Sequence, residues 1–212
     1  DLPQIMSSSA QAILHARRQP PIEAVVIGAS AGGLEALGMV LEGLPSGFRL
    51  PILVVQHVPA NGPTHLAEIF GRRTRLLVKE ADDKDQLRCG MLYFAAPGYH
   101  LLVESDRSLS LSQDDAVHFS RPSIDVLFES VAKCAGKAAV GVILTGMGRD
   151  GARGLLAMRE AGASTLGQNE ATSVVYGMPK VAHELGAVER QLPLERIGAE
   201  IVNRCNLARE AV

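Results

Sequence analysis

Tryptophan is absent from this sequence, and Phe, Tyr and Trp together supply only 4% of its 212 residues. The 21 lysines and arginines are balanced by 23 aspartates and glutamates, so the chain has no excess of positive charge for a phosphate backbone. Few aromatic rings also leave little surface on which bases could stack. These two shortages argue against nucleic acid as a partner.

Cysteine is scarce as well. The three cysteines are Cys89, Cys134 and Cys205, and no two of them form a Cys-x-x-Cys pair. This pattern argues against a disulfide scaffold and against a structural zinc site, and it favours reduced thiols in the cytoplasm. No apolar run approaches the roughly 20 residues that a membrane-spanning helix needs, and the N-terminus lacks a signal-peptide core. We therefore expect a cytoplasmic protein with no direct membrane insertion.

The remaining composition is that of a globular domain, with 47% hydrophobic and 21% charged residues. Residues 1–21 differ from the rest, since they hold three consecutive serines at 7–9 and a pair of prolines at 20–21. We interpret 1–21 as an interdomain linker or tail, and 22–212 as one folded domain. Because the chain begins at Asp1 rather than Met, we expect a fragment of a longer protein.

From residue 22 onward, apolar runs alternate with helical periodicity. Strands are predicted at 22–27, 50–55, 76–78, 138–144, 163–166 and 187–188, and helices at 34–44, 63–73, 124–135, 152–156, 177–185 and 194–207. Short runs at 91–95, 99–103 and 109–111 are predicted to form hairpins. The pattern indicates an α/β fold of three layers, in which a mostly parallel sheet has helices on both faces and carries a hairpin insertion.

Ligands of such sheets bind at the carboxyl ends of the strands, where the first notable motif lies. The first strand runs into Gly-Ala-Ser-Ala-Gly-Gly at 28–33, which fits the Gly-x-Ser-x-Gly turn that presents a nucleophilic serine. Ser30 would be that nucleophile. The alternative is a glycine-rich turn in which Ser30 only caps the following helix.

Two further polar residues follow strand ends. His57 comes directly after the second strand, where a neutral imidazole could accept the serine proton. Asp150 follows the strand at 138–144 and could orient the imidazole, although it could equally be the N-cap of the next helix. Together they suggest a Ser-His-Asp triad. The order along the chain is Ser, His, Asp, which differs from the α/β-hydrolase order.

Five stretches extend beyond these single residues: GASAGG, QHVPA, RPSIDVLFESVA, VGVILTGMGRDGARGLLAMREAGA and QNEATSVVYGMP. They closely resemble the catalytic domain of the CheB-type protein-glutamate methylesterases, and the resemblance runs from about Ile22 to about Leu194. It implies that Ser30 is the nucleophile, His57 the base and Asp150 the third triad member. It also implies an oxyanion hole formed by the backbone amides of Ala31 and Met147.

The same resemblance implies the substrate and the partners. The family demethylates glutamate methyl esters on the cytoplasmic helices of chemoreceptors, releasing methanol, and many members deamidate receptor glutamines. Its members usually carry a phosphorylatable receiver domain before the catalytic domain, and no metal or other cofactor is expected. Many relatives have Thr or Ser at the position of Ala31, so a side-chain hydroxyl contribution there is lost while the amide contribution is kept.

Two rival interpretations remain. One is a nucleotide- or phosphate-binding module, although residues 28–33 lack the Gly-x-Gly-x-x-Gly spacing and the second strand ends in His57 rather than in an acid. The other is an inactive binding domain. A metal site at His57 and His65 is not expected, because the two are too far apart for one helix face and the sequence shows no third ligand. The other histidines are expected to be surface or structural residues: His100, His118 and His183. Residues with either a structural or a site-lining role are Arg121, Asn169, Glu170 and Met178.

Overall fold

The structure is a computed structural model, which describes residues 23–58 and 64–210. The predicted linker at 1–21 lies outside the described residues. Seven strands form one sheet in which every neighbouring pair is parallel, in the order β3-β4-β2-β1-β7-β8-β9. These strands are β1 (Ala24–Ala29), β2 (Ile52–Gln56), β3 (Leu77–Glu80), β4 (Met91–Phe94), β7 (Ala139–Ile143), β8 (Ser164–Gln168) and β9 (Arg190–Leu192). A separate antiparallel hairpin pairs β5 (His100–Val103) with β6 (Leu109–Ser112).

Helices cover both faces of this sheet. They are α1 (Gly33–Glu42), α2 (Leu66–Gly71), α3 (Ile124–Cys134), α4 (Ala152–Glu160), α5 (Met178–Glu184) and α6 (Leu194–Glu210). A cluster of buried hydrophobic side chains lies on each face of the sheet. Helices α1, α2 and α6 pack against one cluster, while α3, α4, α5 and the hairpin pack against the other. Side chains along β1 alternate between the two clusters, with Val25 and Ile27 in the first and Val26 in the second. The predicted three-layer α/β fold with a hairpin insertion is therefore confirmed.

Two of the predicted elements are wrong. The run at 91–95 was predicted to form a hairpin, but β4 is a parallel strand between β2 and β3. Its residues Leu92, Tyr93 and Phe94 are buried, and an apolar run this short does not by itself reveal its partner. The last strand was predicted at 187–188. Those residues are buried but precede the strand, which is the edge strand Arg190–Leu192 with its first two side chains exposed.

Candidate active site

The three central strands bring the predicted residues to one edge of the sheet. β1 lies between β2 and β7, and Ala29 pairs with Gln56 while Gly28 pairs with Ile143. Ser30 therefore leaves the sheet between His57 and the turn that begins at Thr145. The backbone continues this register, since His57 N–H donates to the Ala29 carbonyl at 3.0 Å and Ser30 N–H donates to the Thr145 carbonyl at 3.0 Å.

The turn around Ser30 is built for close approach. Gly32 takes the left-handed conformation at φ 76°, which favours glycine, and it is the N-cap of α1 without any side-chain cap. Gly146 lies directly against Ser30, because a Cβ added to Gly146 would come within 2.7 Å of the Ser30 Cβ. The N-cap of α1 is Gly32 and no side chain caps the helix, so Ser30 does not cap it, and no hydrogen bond of the Ser30 hydroxyl is found among the described residues. The capping alternative for Ser30 is not what the structure shows.

Two buried polar residues that the sequence analysis missed fix this turn. Gln56 Nε2 donates to the backbone carbonyls of Ser30 and His57, at 2.9 and 3.0 Å. Thr145 Oγ1 donates to the Ala31 carbonyl at 2.9 Å, and the Thr145 N–H donates to Gln168 Oε1 at 2.8 Å. Both lie within or beside stretches noted for the family resemblance. Nothing in the sequence indicated that they would hold the backbone.

The closest side-chain contact at this edge joins His57 to Asp150. His57 Nε2 lies 2.7 Å from Asp150 Oδ2, and the Asp150 side chain is only 3% exposed. Burial alone would raise the pKa of Asp150. Hydrogen bonds from His57, from the amides of Asp125 and Ile124 and from the Ser123 hydroxyl outweigh burial, and together they hold the pKa below its ordinary value. Asp150 is therefore a carboxylate at neutral pH.

The sequence left open whether Asp150 caps the helix that follows it. The N-cap of α4 is Gly151, with no side-chain cap, so Asp150 does not cap the helix that follows it. Asp150 instead accepts the amides that begin α3, from Ile124 at 2.8 Å and from Asp125 at 2.9 Å. An orphaned amide at a helix start can be satisfied by any nearby acceptor, and here a distant loop supplies it. No pattern in the sequence indicated that this loop packs against α3.

Two backbone amides at the same edge have no acceptor in the part of the chain that the structure describes. Neither the Ala31 N–H nor the Met147 N–H donates a hydrogen bond to any described residue. Ala31 immediately precedes the N-cap of α1, where the helix dipole adds a partial positive charge. Met147 belongs to the turn whose Gly146 lies against Ser30, and its side chain is 71% exposed. Both amides are free to bind an anionic oxygen.

The other candidate histidines differ in burial, since two are buried or half-buried and two are exposed. His118 lines the same shallow hollow as His57, with its Nε2 3.1 Å from Asp125 Oδ2. His100 is buried and accepts the Ser123 N–H on Nδ1 at 3.1 Å, whereas His65 and His183 are exposed.

Of the family-like residues, Met178 is fully buried and its side chain lies under Gly146. Arg121 donates to two backbone carbonyls, Asn169 caps the short 3-10 helix Glu170–Thr172, and Glu170 is exposed. These four residues thus have structural roles or lie on the surface.

The described residues form neither a metal site nor a membrane-spanning helix. Between residues 23 and 58 and between 64 and 210, no group of three or more His, Cys, Asp or Glu side chains is arranged to hold a metal ion. None of the helices in that part of the chain has the length and apolar character that a bilayer crossing needs.

A parallel α/β sheet that gathers a serine, a histidine and a carboxylate at its carboxyl edge is the arrangement of a serine hydrolase. The comparison with known proteins identifies a particular family within this broad class. The family model described as CheB methylesterase matches residues 25–201, so this chain belongs to the CheB methylesterase family.

Relatives and a solved structure agree with this membership. The chain is 51% identical over 189 residues to the protein-glutamate methylesterase/protein-glutamine glutaminase of Agrobacterium fabrum, covering 88% of this chain and 54% of the relative. It is 54% identical over 181 residues to the protein-glutamate methylesterase/protein-glutamine glutaminase 1 of Rhizobium johnstonii, covering 84% of this chain and 52% of the relative. The catalytic domain of the Thermotoga maritima CheB methylesterase superposes with a TM-score of 0.81 at 33% identity, covering 86% of this chain and 98% of that domain. The chain spans about half the length of these curated relatives.

Proposed function

We propose that this chain is the catalytic domain of a protein-glutamate methylesterase, with Ser30 as nucleophile, His57 as base and Asp150 as the third triad member. It hydrolyses glutamate methyl esters on the cytoplasmic helices of chemoreceptors. The observation that carries the proposal is the 2.7 Å contact of His57 with the buried Asp150 carboxylate, one strand away from the Ser30 hydroxyl, which has no partner among the described residues. The names of the relatives supply protein glutamate methyl esters and glutamines as the substrate class, and the family resemblance supplies the chemoreceptors.

The two ring nitrogens of His57 have different roles in the proposed reaction. An ionised carboxylate only accepts hydrogen bonds, so Nε2 carries the proton that faces Asp150 and Nδ1 is left as the acceptor. Ser30 Oγ attacks the ester carbonyl carbon while its proton moves to Nδ1. The carbonyl oxygen takes the negative charge and is held by the amides of Ala31 and Met147.

The intermediate then collapses. The bond from carbon to the methoxy oxygen breaks, and the departing oxygen takes the proton from His57 Nδ1 to give methanol. A glutamyl ester of Ser30 remains. Water attacks this ester while passing its proton to Nδ1, and the bond to Ser30 Oγ breaks as the proton returns, leaving a free glutamate. With a glutamine substrate the same steps release ammonia, which accounts for a second, deamidating activity. No step needs a metal or an organic cofactor.

The partners follow from the same family. We propose that a phosphorylatable receiver domain precedes residues 22–212 in the longer protein, with 1–21 as the linker, and that the protein works in the cytoplasm. The curated relatives are about twice as long as the part this chain matches, which leaves room for such a domain. Methylated chemoreceptors are the proposed substrates and protein partners.

The test is methanol release from membranes that carry methylated receptors, with wild-type protein and with Ser30→Ala. Loss of turnover in a folded Ser30→Ala supports the proposal. Equal turnover in both proteins would exclude Ser30 as nucleophile, and absence of turnover in wild-type protein would favour the inactive binding domain. Saturable binding of a dinucleotide, without esterase activity, would favour the nucleotide-binding alternative.

A further inference from the structure

The start of α3 presents an unusual serine. Ser123 is the N-cap of α3 by its extended backbone, at φ −105° and ψ 138°, and it is fully buried. A serine at this position ordinarily accepts an amide N–H of the first turn with its side-chain oxygen. Ser123 makes no such side-chain cap. Its hydroxyl instead donates to Asp150 Oδ1 at 2.8 Å.

The Asp150 carboxylate does the capping in its place. A carboxylate has about four acceptor sites, two on each oxygen. Oδ1 receives the Ser123 hydroxyl and the Asp125 amide, while Oδ2 receives the Ile124 amide and His57 Nε2. Three of these donors thus come from consecutive residues of one rigid helix start, and the fourth is the imidazole. With both oxygens held by α3, the carboxylate plane is fixed and Oδ2 is directed at His57.

Ser123 is itself held from behind. Its N–H donates to Nδ1 of His100, whose side chain is 1% exposed, and Nε2 of His100 contacts the Asp115 carbonyl at 3.0 Å. The hairpin strand β5 therefore anchors the backbone from which the Ser123 hydroxyl reaches Asp150. Ser123 is fully buried, so bulk solvent does not compete for its hydrogen bond to Asp150.

We propose that Ser123 is a positioning residue for the triad. Among the described residues its hydroxyl is the one side-chain donor to Oδ1, and it sets the orientation in which Asp150 holds His57. This inference rests on the proposed function, because it concerns the turnover of the same site. A merely structural serine would affect folding without changing the rate per folded molecule.

The test compares Ser123→Ala with a matched serine of the same helix. Ser130 is also buried on α3, and its hydroxyl donates to the Leu127 carbonyl and accepts the Val103 amide, but it has no hydrogen bond to Asp150. Ser123→Ala should lower kcat for methanol release about tenfold to hundredfold with little change in KM, since a hydrogen bond to a charged group is lost. Ser130→Ala should lose stability but keep wild-type kcat. Ser123→Thr keeps a hydroxyl and should retain more turnover than Ser123→Ala.

Several outcomes overturn the inference. One is a folded Ser123→Ala with kcat within about twofold of wild type, which is far less than a lost charged hydrogen bond predicts. A second is an equal loss of kcat in Ser130→Ala, and a third is an equal loss in Ser123→Thr. If Ser123→Ala does not fold, Ser123→Gly serves instead, because glycine is well tolerated at an N-cap. If neither folds while Ser130→Ala does, Ser123 is structural and the inference is wrong. Full turnover of Ser30→Ala would instead refute the proposed function itself.

Discussion

Nε2 of His57 lies 2.7 Å from Oδ2 of Asp150, although 93 positions separate the two residues along the chain. The contact forms because the turn after β7 brings Asp150 onto the start of α3, at the edge of the sheet where His57 follows β2. In the serine proteases it is Nδ1 that faces the aspartate and Nε2 that serves the serine. In this protein Nε2 faces the aspartate, and the proposed mechanism therefore assigns to Nδ1 the role of accepting the Ser30 proton.

Replacing Asp150 with asparagine should impair both catalysis and stability. The asparagine NH₂ would have to face one or more of the four donors that now surround the carboxylate. We expect turnover to fall at least ~10²-fold, since the corresponding change in serine proteases costs about 10⁴-fold. The free energy of unfolding should fall by about 1–3 kcal/mol, because buried donors lose their acceptor. Turnover assays and urea unfolding measure the two effects.

The control for this variant is Asp114→Asn, at an exposed residue of the loop before α3. It should change neither quantity. Normal turnover in a folded Asp150→Asn would mean that Asp150 only holds the start of α3 and that His57 relies on another acid.

The two buried aspartates should respond to pH with opposite signs. The pKa of Asp150 is lowered, so its contribution to stability is present above about pH 4, the ordinary pKa of a carboxyl, and is lost as pH falls through the lower folded-state pKa. The pKa of Asp125 is raised, first by burial and also by the nearby Asp150 charge. Its contribution is therefore present at low pH and is lost as pH rises through its folded-state pKa.

Urea unfolding between pH 3 and 7 tests these signs. The stability difference between wild type and Asp150→Asn should shrink as the pH falls. The difference between wild type and Asp125→Asn should move in wild type's favour over the same range. Parallel trends in the two variants would contradict the opposite pKa directions.

Gly146→Ala should damage the site from the backbone side. The added Cβ would lie 2.7 Å from the Ser30 Cβ and 2.5 Å from Met178 Cε, so the turn that carries Met147 must shift. We expect a loss of about 1–3 kcal/mol in the free energy of unfolding, which is typical of overpacking, together with a marked fall in kcat. Gly71→Ala is the control, since a Cβ there meets nothing within 4 Å. A Gly146→Ala protein with normal kcat would show that this turn does not help to form the oxyanion site.

Deleting residues 1–20 should leave turnover of the isolated chain unchanged. The proposed triad and both oxyanion amides lie after residue 22, and β1 begins at Ala24. Methanol release by the truncated and the whole chain should agree within error. A large loss in a folded truncation would mean that the segment contributes to the site or to receptor docking.

The sequence could indicate Ser30, His57 and Asp150 together because ligands of parallel sheets bind at the carboxyl ends of the strands. Each follows a strand of a parallel sheet, and the carboxyl ends of such strands share one edge. What the sequence could not reveal are contacts between segments distant along the chain. Ser123 and Gln56 are polar residues of ordinary appearance, and only the packing of α3 and β2 shows that one holds Asp150 and the other holds the Ser30 turn. The catalytic roles themselves stay predictions.

The most direct measurement is the turnover of Ser30→Ala on methylated receptor membranes, with its melting temperature determined in the same buffer. The Ser30 hydroxyl has no partner among the described residues, and alanine keeps the Cβ that lies against Gly146. The account predicts an unchanged melting temperature and no methanol release above the rate without enzyme. A folded Ser30→Ala that releases methanol at the wild-type rate would contradict it.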